Sequence, residues 1–241
     1  MSAPVAIAAS LREVGFAYGA VKVLAGLDFD VRKGELLACV GPSGCGKSTL
    51  LAILGGHLAP TQGELERAGA SRTIYQDGGL YPWLTVAENV ALGVPRGTPA
   101  AERARKVEDW LTTSRLSEFR GYHPHQLSGG MRQRVELGRA LVAETDLLLL
   151  DEPFSALDYQ TRVRMRRELV TTLAARPRTV VLVTHDIEEA VQLADRVVVL
   201  GARPASVRRV LDLPPGRRPR GPADPGVAAA EETLLEELGL T

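Results

Sequence analysis

An apolar run, Glu35–Val40, opens directly into Gly41-Pro42-Ser43-Gly44-Cys45-Gly46-Lys47-Ser48, and Ser48–Leu54 then reads as a helix stopped by Gly55-Gly56. This strand, turn of the form G-x-x-x-x-G-K-S, and helix constrain the fold more than any other stretch of the chain. Glycines let backbone N–H groups turn inward and approach a ligand closely. The helix that follows aims the positive end of its dipole at the same point. A loop of this kind cradles phosphate, and it requires the strand–loop–helix context found here. Lys47 is placed to reach the β- and γ-phosphates of a nucleotide, and the Ser48 hydroxyl to ligate Mg²⁺, with Thr49 as the alternative hydroxyl.

The rest of the pattern agrees with an α/β fold. Val21–Val31 alternates loosely and predicts a half-buried strand. Ser71–Tyr75 reads as a short strand, and Leu147–Leu150, Val180–Val183 and Val197–Leu200 as buried ones. Asp158–Ala175 reads as a helix with Met165, Leu169 and Leu173 on one face. Strands alternating with helices argue for a mainly parallel sheet. Thr98-Pro99 reads as a helix start, Thr98 capping and Pro99 at the first helical position, and the helical pattern continues to about Ala143 with a break near Gly121–Pro124. An inserted helical lobe over about 78–140 follows from this. Beyond Gly201 the content of Pro, Gly and Arg rises, which predicts an irregular tail over about 205–241 with a short terminal helix at Leu234, Leu235 and Leu238.

Two further segments carry chemistry. Asp151 and Glu152 end the Leu147–Leu150 strand, and active groups in open α/β sheets sit at the carboxyl ends of strands. Asp151 is the candidate Mg²⁺ ligand and Glu152 the candidate general base. Ser128, Gly129 and Gly130 open a predicted helix, offering a hydroxyl, free N–H groups and a dipole, which makes a second anion site. Tyr18, ahead of the first hairpin, is the aromatic best placed to stack on a base, with Phe16 as competitor.

In this order, the phosphate loop, Leu127-Ser128-Gly129-Gly130-Met131-Arg132-Gln133, and Leu147–Glu152 followed by Pro153-Phe154-Ser155-Ala156-Leu157-Asp158 resemble the nucleotide-binding subunit of an ATP-binding-cassette (ABC) transporter. The resemblance covers about residues 10–220. It implies a P-loop NTPase core with a mainly parallel sheet, an antiparallel β subdomain and an inserted helical subdomain, within one ABC ATPase domain. It implies Mg-ATP as substrate and a dimer, of identical or paralogous chains, in which Ser128, Gly129 and Gly130 of one subunit close on ATP held by the other. It gives His185 the place of the switch histidine beside Glu152. It makes Gln76 the residue that reports the γ-phosphate and helps ligate Mg²⁺. Tyr75–Val90, with Tyr81-Pro82-Trp83-Leu84-Thr85-Val86 at its centre, is similar to the nitrate, sulfonate and taurine type of importer ATPase. Met131 stands where many members have glutamine, and Gly63–Arg72 is shorter than usual, which implies a trimmed β-hairpin. Implied partners are transmembrane permease subunits and an extracytoplasmic solute-binding protein, with the chain peripheral on the cytoplasmic face of the inner membrane.

Bulk properties fit this. The chain has 241 residues, 45% hydrophobic, with Lys+Arg and Asp+Glu both 29. Zero formal charge gives no general footprint for nucleic acid. No stretch approaches the roughly 18–20 apolar residues of a membrane span. Arginines at 162, 164, 166 and 167, and at 217, 218 and 220, read as a solvated helix face and a polar tail, or as contacts for anionic headgroups. Cys39, in an apolar strand, and Cys45, in the phosphate loop, do not read as a disulfide. Cys45 is expected to be the reactive thiol of the two, because it sits at a helix N-terminus. His57, His123 and His125 read as surface or loop residues.

Overall fold

Consecutive β-branched and leucine residues with no polar interruption produce strands that are buried on both faces. β3 (Leu36–Val40), β6 (Leu147–Asp151), β7 (Thr179–Thr184) and β8 (Arg196–Leu200) are of this kind, and every residue in them is buried. The computed structural model describes residues 6–75, 79–143, 145–175, 177–216, 218–221 and 224–240. The chain divides into two compact units, one made of residues 1–73, 146–152 and 177–241, the other of residues 74–145 and 153–176.

The first unit holds two sheets. β1 (Ile7–Tyr18), β2 (Val21–Arg32) and β4 (Gln62–Arg67) form an antiparallel sheet in the order β2-β1-β4. The second sheet runs β5-β6-β7-β3-β8-β9, with β5 at Ser71–Ile74 and β9 at Val207–Asp212. Its centre, β6-β7-β3-β8, is parallel, and β9 closes the edge antiparallel to β8. Between β3 and β4 lies α1 (Lys47–Leu54), whose Leu50, Leu51, Ile53 and Leu54 pack into one core with Leu11, Leu27, Cys39, Leu149, Val183 and Val198. Residues 63–72 hold most of β4 and the start of β5, and these two strands join different sheets, β4 pairing with β1, rather than forming a hairpin with each other.

The second unit, among the described residues, is helical. α2 (Val86–Ala91), α3 (Ala100–Thr113), α4 (Gly129–Leu141) and α5 (Tyr159–Ala175) belong to it, and α4 packs on both α2 and α5. Trp110 and Gly138 meet so closely that a Cβ on Gly138 would lie 2.0 Å from the indole nitrogen, which itself donates to the Arg134 carbonyl. The entry to α3 differs by one residue from expectation. Pro99, with extended backbone, is the N-cap, and the helix begins at Ala100 without a side-chain cap.

The region after Gly201 is more regular than its composition implies. β9 is a full strand, and α7 runs over Pro225–Leu238, much longer than the three leucines indicate. Here α7 packs on α6 (Ile187–Leu193). Nor are the arginines a uniformly solvated set. Arg166 is buried, Arg162 and Arg164 are half-buried, and Arg220 is buried with its guanidinium donating to the carbonyls of Pro214, Val191 and Ala194. Arg220 thus ties the start of the tail to the end of α6. Among the described residues no helix is long and apolar enough to cross a membrane.

Candidate functional site

Strand register builds the site. Val40 of β3 lies opposite Thr184 of β7, and Asp151 of β6 lies opposite Val183. The carboxyl ends of three adjacent strands are therefore level, and the residues that follow them, Gly41, His185 and Glu152, emerge at one edge of the sheet. This is where an open parallel sheet binds ligands.

In the phosphate loop Gly44 has φ +72 and Gly46 φ +121, conformations closed to most L residues. A Cβ on Gly46 would also lie 2.7 Å from Val23 Cγ1. The loop encloses the Lys47 ammonium, which is buried and donates to the Gly41 carbonyl at 2.8 Å and to the Pro42 carbonyl at 3.0 Å. Pro42, Ser43, Gly44 and Ser48 are exposed, Thr49 is half-buried, and Ser48 stands in the first turn of α1. Cys45 departs from expectation. Its side chain points into the core beside Gly41 and is 2% exposed, so the thiol is shielded despite its place at a helix N-terminus. Cys39 is fully buried, and burial pushes its thiol up to about 12. Both thiols are free.

Asp151 is buried at the end of β6. Glu152 follows in a left-handed backbone conformation, φ +47, and its N–H donates to the Val183 carbonyl at 2.9 Å. A non-glycine residue at positive φ costs on the order of 1–3 kcal/mol and is kept only where the surroundings hold it. The turn directs the Glu152 carboxylate to His185, with Oε2 3.1 Å from Nδ1. The carboxylate is 15% exposed and the imidazole 58% exposed, so the pair stands at the rim of the sheet, open to a substrate.

Tyr18 ends β1 and is 53% exposed, with its ring edge-on to Phe16 at 4.8 Å. Phe16 belongs to the core, which leaves Tyr18 as the ring free to stack on a ligand. Ser128 is the N-cap of α4 and its hydroxyl accepts from the Met131 N–H at 3.3 Å. Ser128 and Gly129 are exposed, and Gly130 is close-packed, since a Cβ there would lie 3.0 Å from Leu157. This helix start belongs to the second unit and the phosphate loop to the first. Gln76 lies outside the described residues.

The second unit also presents an aromatic pair. Asn89, fully buried, donates to the carbonyls of Tyr81, Leu84 and Thr85 and accepts from the Tyr81 N–H. One side chain thus shapes the turn that holds Tyr81 and Trp83 outward, 45% and 69% exposed, with rings 5.2 Å apart. Just before it, α4 grips the Gly79 peptide from both sides. Glu136 accepts its N–H, and Arg139 donates to its carbonyl at 2.6 Å. Burial raises the Glu136 carboxyl above its ordinary range against the opposing pull of the Gly79 amide.

Sequence reasoning missed the support around His185. Thr184, Asp186 and Glu189 are joined by hydrogen bonds, and Asp186 caps α6 through the Glu189 N–H. A signal was available, since Asp186 followed three residues later by Glu189 is a helix-start pattern.

Comparison with known proteins agrees with this geometry. The family model described as ABC transporter matches residues 24–155. The chain is 43% identical over 237 residues to the aliphatic sulfonates import ATP-binding protein SsuB 1 of Agrobacterium fabrum, covering 96% of this chain and 84% of that protein. It is 42% identical to the taurine import ATP-binding protein TauB of Pelagibacter ubique, covering 80% and 77%. Among solved structures, a dimeric bacterial ABC transporter cassette is similar with a TM-score of 0.76 and 30% identity, covering 86% of this chain and all of that one. A post-hydrolysis dimer of the same cassette with ADP and phosphate gives 0.77 over the same coverage and identity. The chain thus belongs to the ABC transporter family.

Proposed function

We infer that this chain is the ATP-hydrolysing subunit of an importer, and that its work is uptake of a small solute of the sulfonate, taurine or nitrate class. The family match and the relatives named for import of aliphatic sulfonates and taurine support the activity and the solute class. The observation that carries the chemistry is the Glu152–His185 contact at the strand ends beside the phosphate loop.

The loop amides and Lys47 bind the phosphates, and Tyr18 stacks on adenine. Donors of the right kind for Mg²⁺ are present, since the exposed Ser48 hydroxyl and the Asp151 carboxylate are hard oxygen ligands and Gln76 is a third. Bound there, Mg²⁺ neutralises charge on the phosphate oxygens. Glu152 takes a proton from the attacking water as the water oxygen bonds to the γ-phosphorus and the bond to ADP breaks. His185 holds the carboxylate in place and faces the γ-phosphate. Ser128, Gly129 and Gly130 supply the lid of the partner's site, which makes two chains, identical or paralogous, the working unit. The dimeric cassette supports that arrangement. Permease subunits in the membrane receive the motion through Gln76 and the helical subdomain at about 78–140, and the exposed Tyr81 and Trp83 are suited to that contact. The chain sits peripherally on the cytoplasmic face, with an extracytoplasmic solute-binding protein in the same system.

The test is turnover in Glu152→Gln. ATP binding should persist while the rate falls by about 10²–10⁴, the usual contribution of a general base. Mixing Lys47→Ala with Ser128→Arg, each inactive alone, should restore partial ATPase activity. Unchanged turnover in folded Glu152→Gln, or no recovery in a demonstrated heterodimer, would overturn these assignments.

A further inference from the structure

The structure assigns Thr184 and Glu189 as the residues that aim His185 at Glu152, an inference that rests on the roles given above to Glu152 and His185. The imidazole is more exposed than buried, so side-chain packing does little to fix it. What is fixed is the backbone on either side. The Thr184 hydroxyl donates to Glu189 Oε2 at 2.7 Å and accepts from the Asp186 N–H at 3.0 Å. The Asp186 carboxylate accepts from the Glu189 N–H at 3.0 Å. Three hydrogen bonds therefore close a ring across the residue between Thr184 and Asp186, which is His185.

Thr184 and Glu189 are both buried, at 2% and 3% exposed. Buried hydrogen bonds of this kind strengthen in a low dielectric, and a gap among them is costly. The hydroxyl is used twice, its proton committed to Glu189 and a lone pair to the Asp186 amide. Neither Thr184 nor Glu189 contacts a nucleotide in this reading. They are positioning residues, and they act through His185. Rotation of the His185 peptide would carry Nδ1 away from Glu152, and a misplacement of about 1 Å in a catalytic group costs on the order of 10²-fold in rate.

The experiment is a set of ATPase measurements on Thr184→Val, Thr184→Ser, His185→Ala and Thr184→Val/His185→Ala, with Mg-ATP as substrate and thermal unfolding to confirm folding. Valine keeps the shape and strand preference of threonine but deletes both bonds. Thr184→Val should lose kcat by about 10–10²-fold with KM for ATP little changed, and Thr184→Ser should stay near wild type. In the His185→Ala background Thr184→Val should add no further loss, because residues acting as a unit are not additive. Should Thr184→Val not fold, Glu189→Met, which fills the same space but offers the Thr184 hydroxyl no acceptor, is read through the same cycle. Normal turnover in Thr184→Val beside an inactive His185→Ala would overturn this inference alone. So would a full additional loss on the His185→Ala background, or equal defects in the serine and valine variants. Wild-type turnover in His185→Ala would overturn the site reading and this inference with it.

Discussion

Arg196→Met should be among the most destabilising single changes in the first unit. Arg196 begins β8 and reaches Glu35, at the turn before β3, with Nη1 at 3.1 Å from Oε1 and 3.2 Å from Oε2. Both side chains are almost wholly buried, 7% and 6% exposed. The same guanidinium donates to the Asp30 carbonyl at 3.3 Å, and Glu35 Oε1 accepts from the Arg32 N–H at 2.6 Å. Methionine fills similar space and supplies no charge. It strands a buried carboxylate, at a cost of about 3–5 kcal/mol. Against a total stability of about 5–15 kcal/mol that is a large fraction. With a urea slope of about 2–3 kcal/mol/M the midpoint should fall by on the order of 1–2 M.

The pH dependence identifies the cause. Burial already holds the Glu35 carboxyl above its ordinary range, outweighing the Arg32 amide and the Arg196 charge that pull it down. Without Arg196 it rises further. A carboxyl raised in the folded state keeps its proton where the unfolded chain has released it, so its penalty grows as pH climbs from the unfolded value of about 4.3 through the folded value. The deficit of Arg196→Met relative to wild type should therefore be greatest at neutral and alkaline pH and shrink on acidification. Glu35→Gln added to Arg196→Met should recover much of the loss at pH 7, because the amide oxygen still accepts from Arg32 and no charge is buried. A stability for Arg196→Met within about 1 kcal/mol of wild type, as for an exposed pair, would refute the reasoning. So would a double variant no better than the single.

Gly46→Ala should abolish ATP binding in a fluorescent-nucleotide titration, because φ +121 and the 2.7 Å approach to Val23 leave the loop no room for a methyl group; binding within about threefold of wild type would contradict the close-packed loop. Glu231→Gln should raise the thermal midpoint at neutral pH, since burial and then the charges of Glu188 and Asp186 lift the Glu231 carboxyl. Its stability penalty is full above the folded value and absent below the unfolded one, so the gain should vanish as pH falls toward about 4.

Much of this was legible because it is local. The phosphate loop, β3 and α1 are contiguous, and glycine conformation, helix dipole and apolar run all point to one structure. Leu147–Leu150 and Val180–Val183 could be read as buried strands because no polar residue interrupts them. What escaped depends on distant partners. β9 reads Val-Arg-Arg-Val-Leu-Asp with mostly exposed side chains, and only antiparallel pairing to β8 makes it a strand. The direction of the Cys45 side chain is set by packing inside the loop, which motif spacing does not report. The start of α7 was readable in principle from Asp224-Pro225, a capping residue followed by proline in the first turn, but a Pro- and Gly-rich tail hid it. The left-handed backbone of Glu152 has no sequence signature at all.

That backbone ties the geometry proposed for catalysis to the core strands. Val183 of β7 lies opposite Asp151 and its carbonyl receives the Glu152 N–H, while two residues farther along the same strand direction stands His185. β7 therefore holds both ends of the Glu152–His185 contact, one through a main-chain hydrogen bond and the other through covalent continuity. β6 and β7 are buried at every position, so a slip of one residue between them would carry each close-packed side chain into the opposite buried face, which is packed for a different one, and is opposed by overpacking and voids. The exposed imidazole and the strained glutamate need little packing of their own, because the register of two buried strands sets the distance between them. A cavity cut beneath that register, at Leu149 or Val181, should thus lower turnover even though neither residue reaches a phosphate, whereas a comparable loss of stability from the β9 edge should leave kcat unchanged.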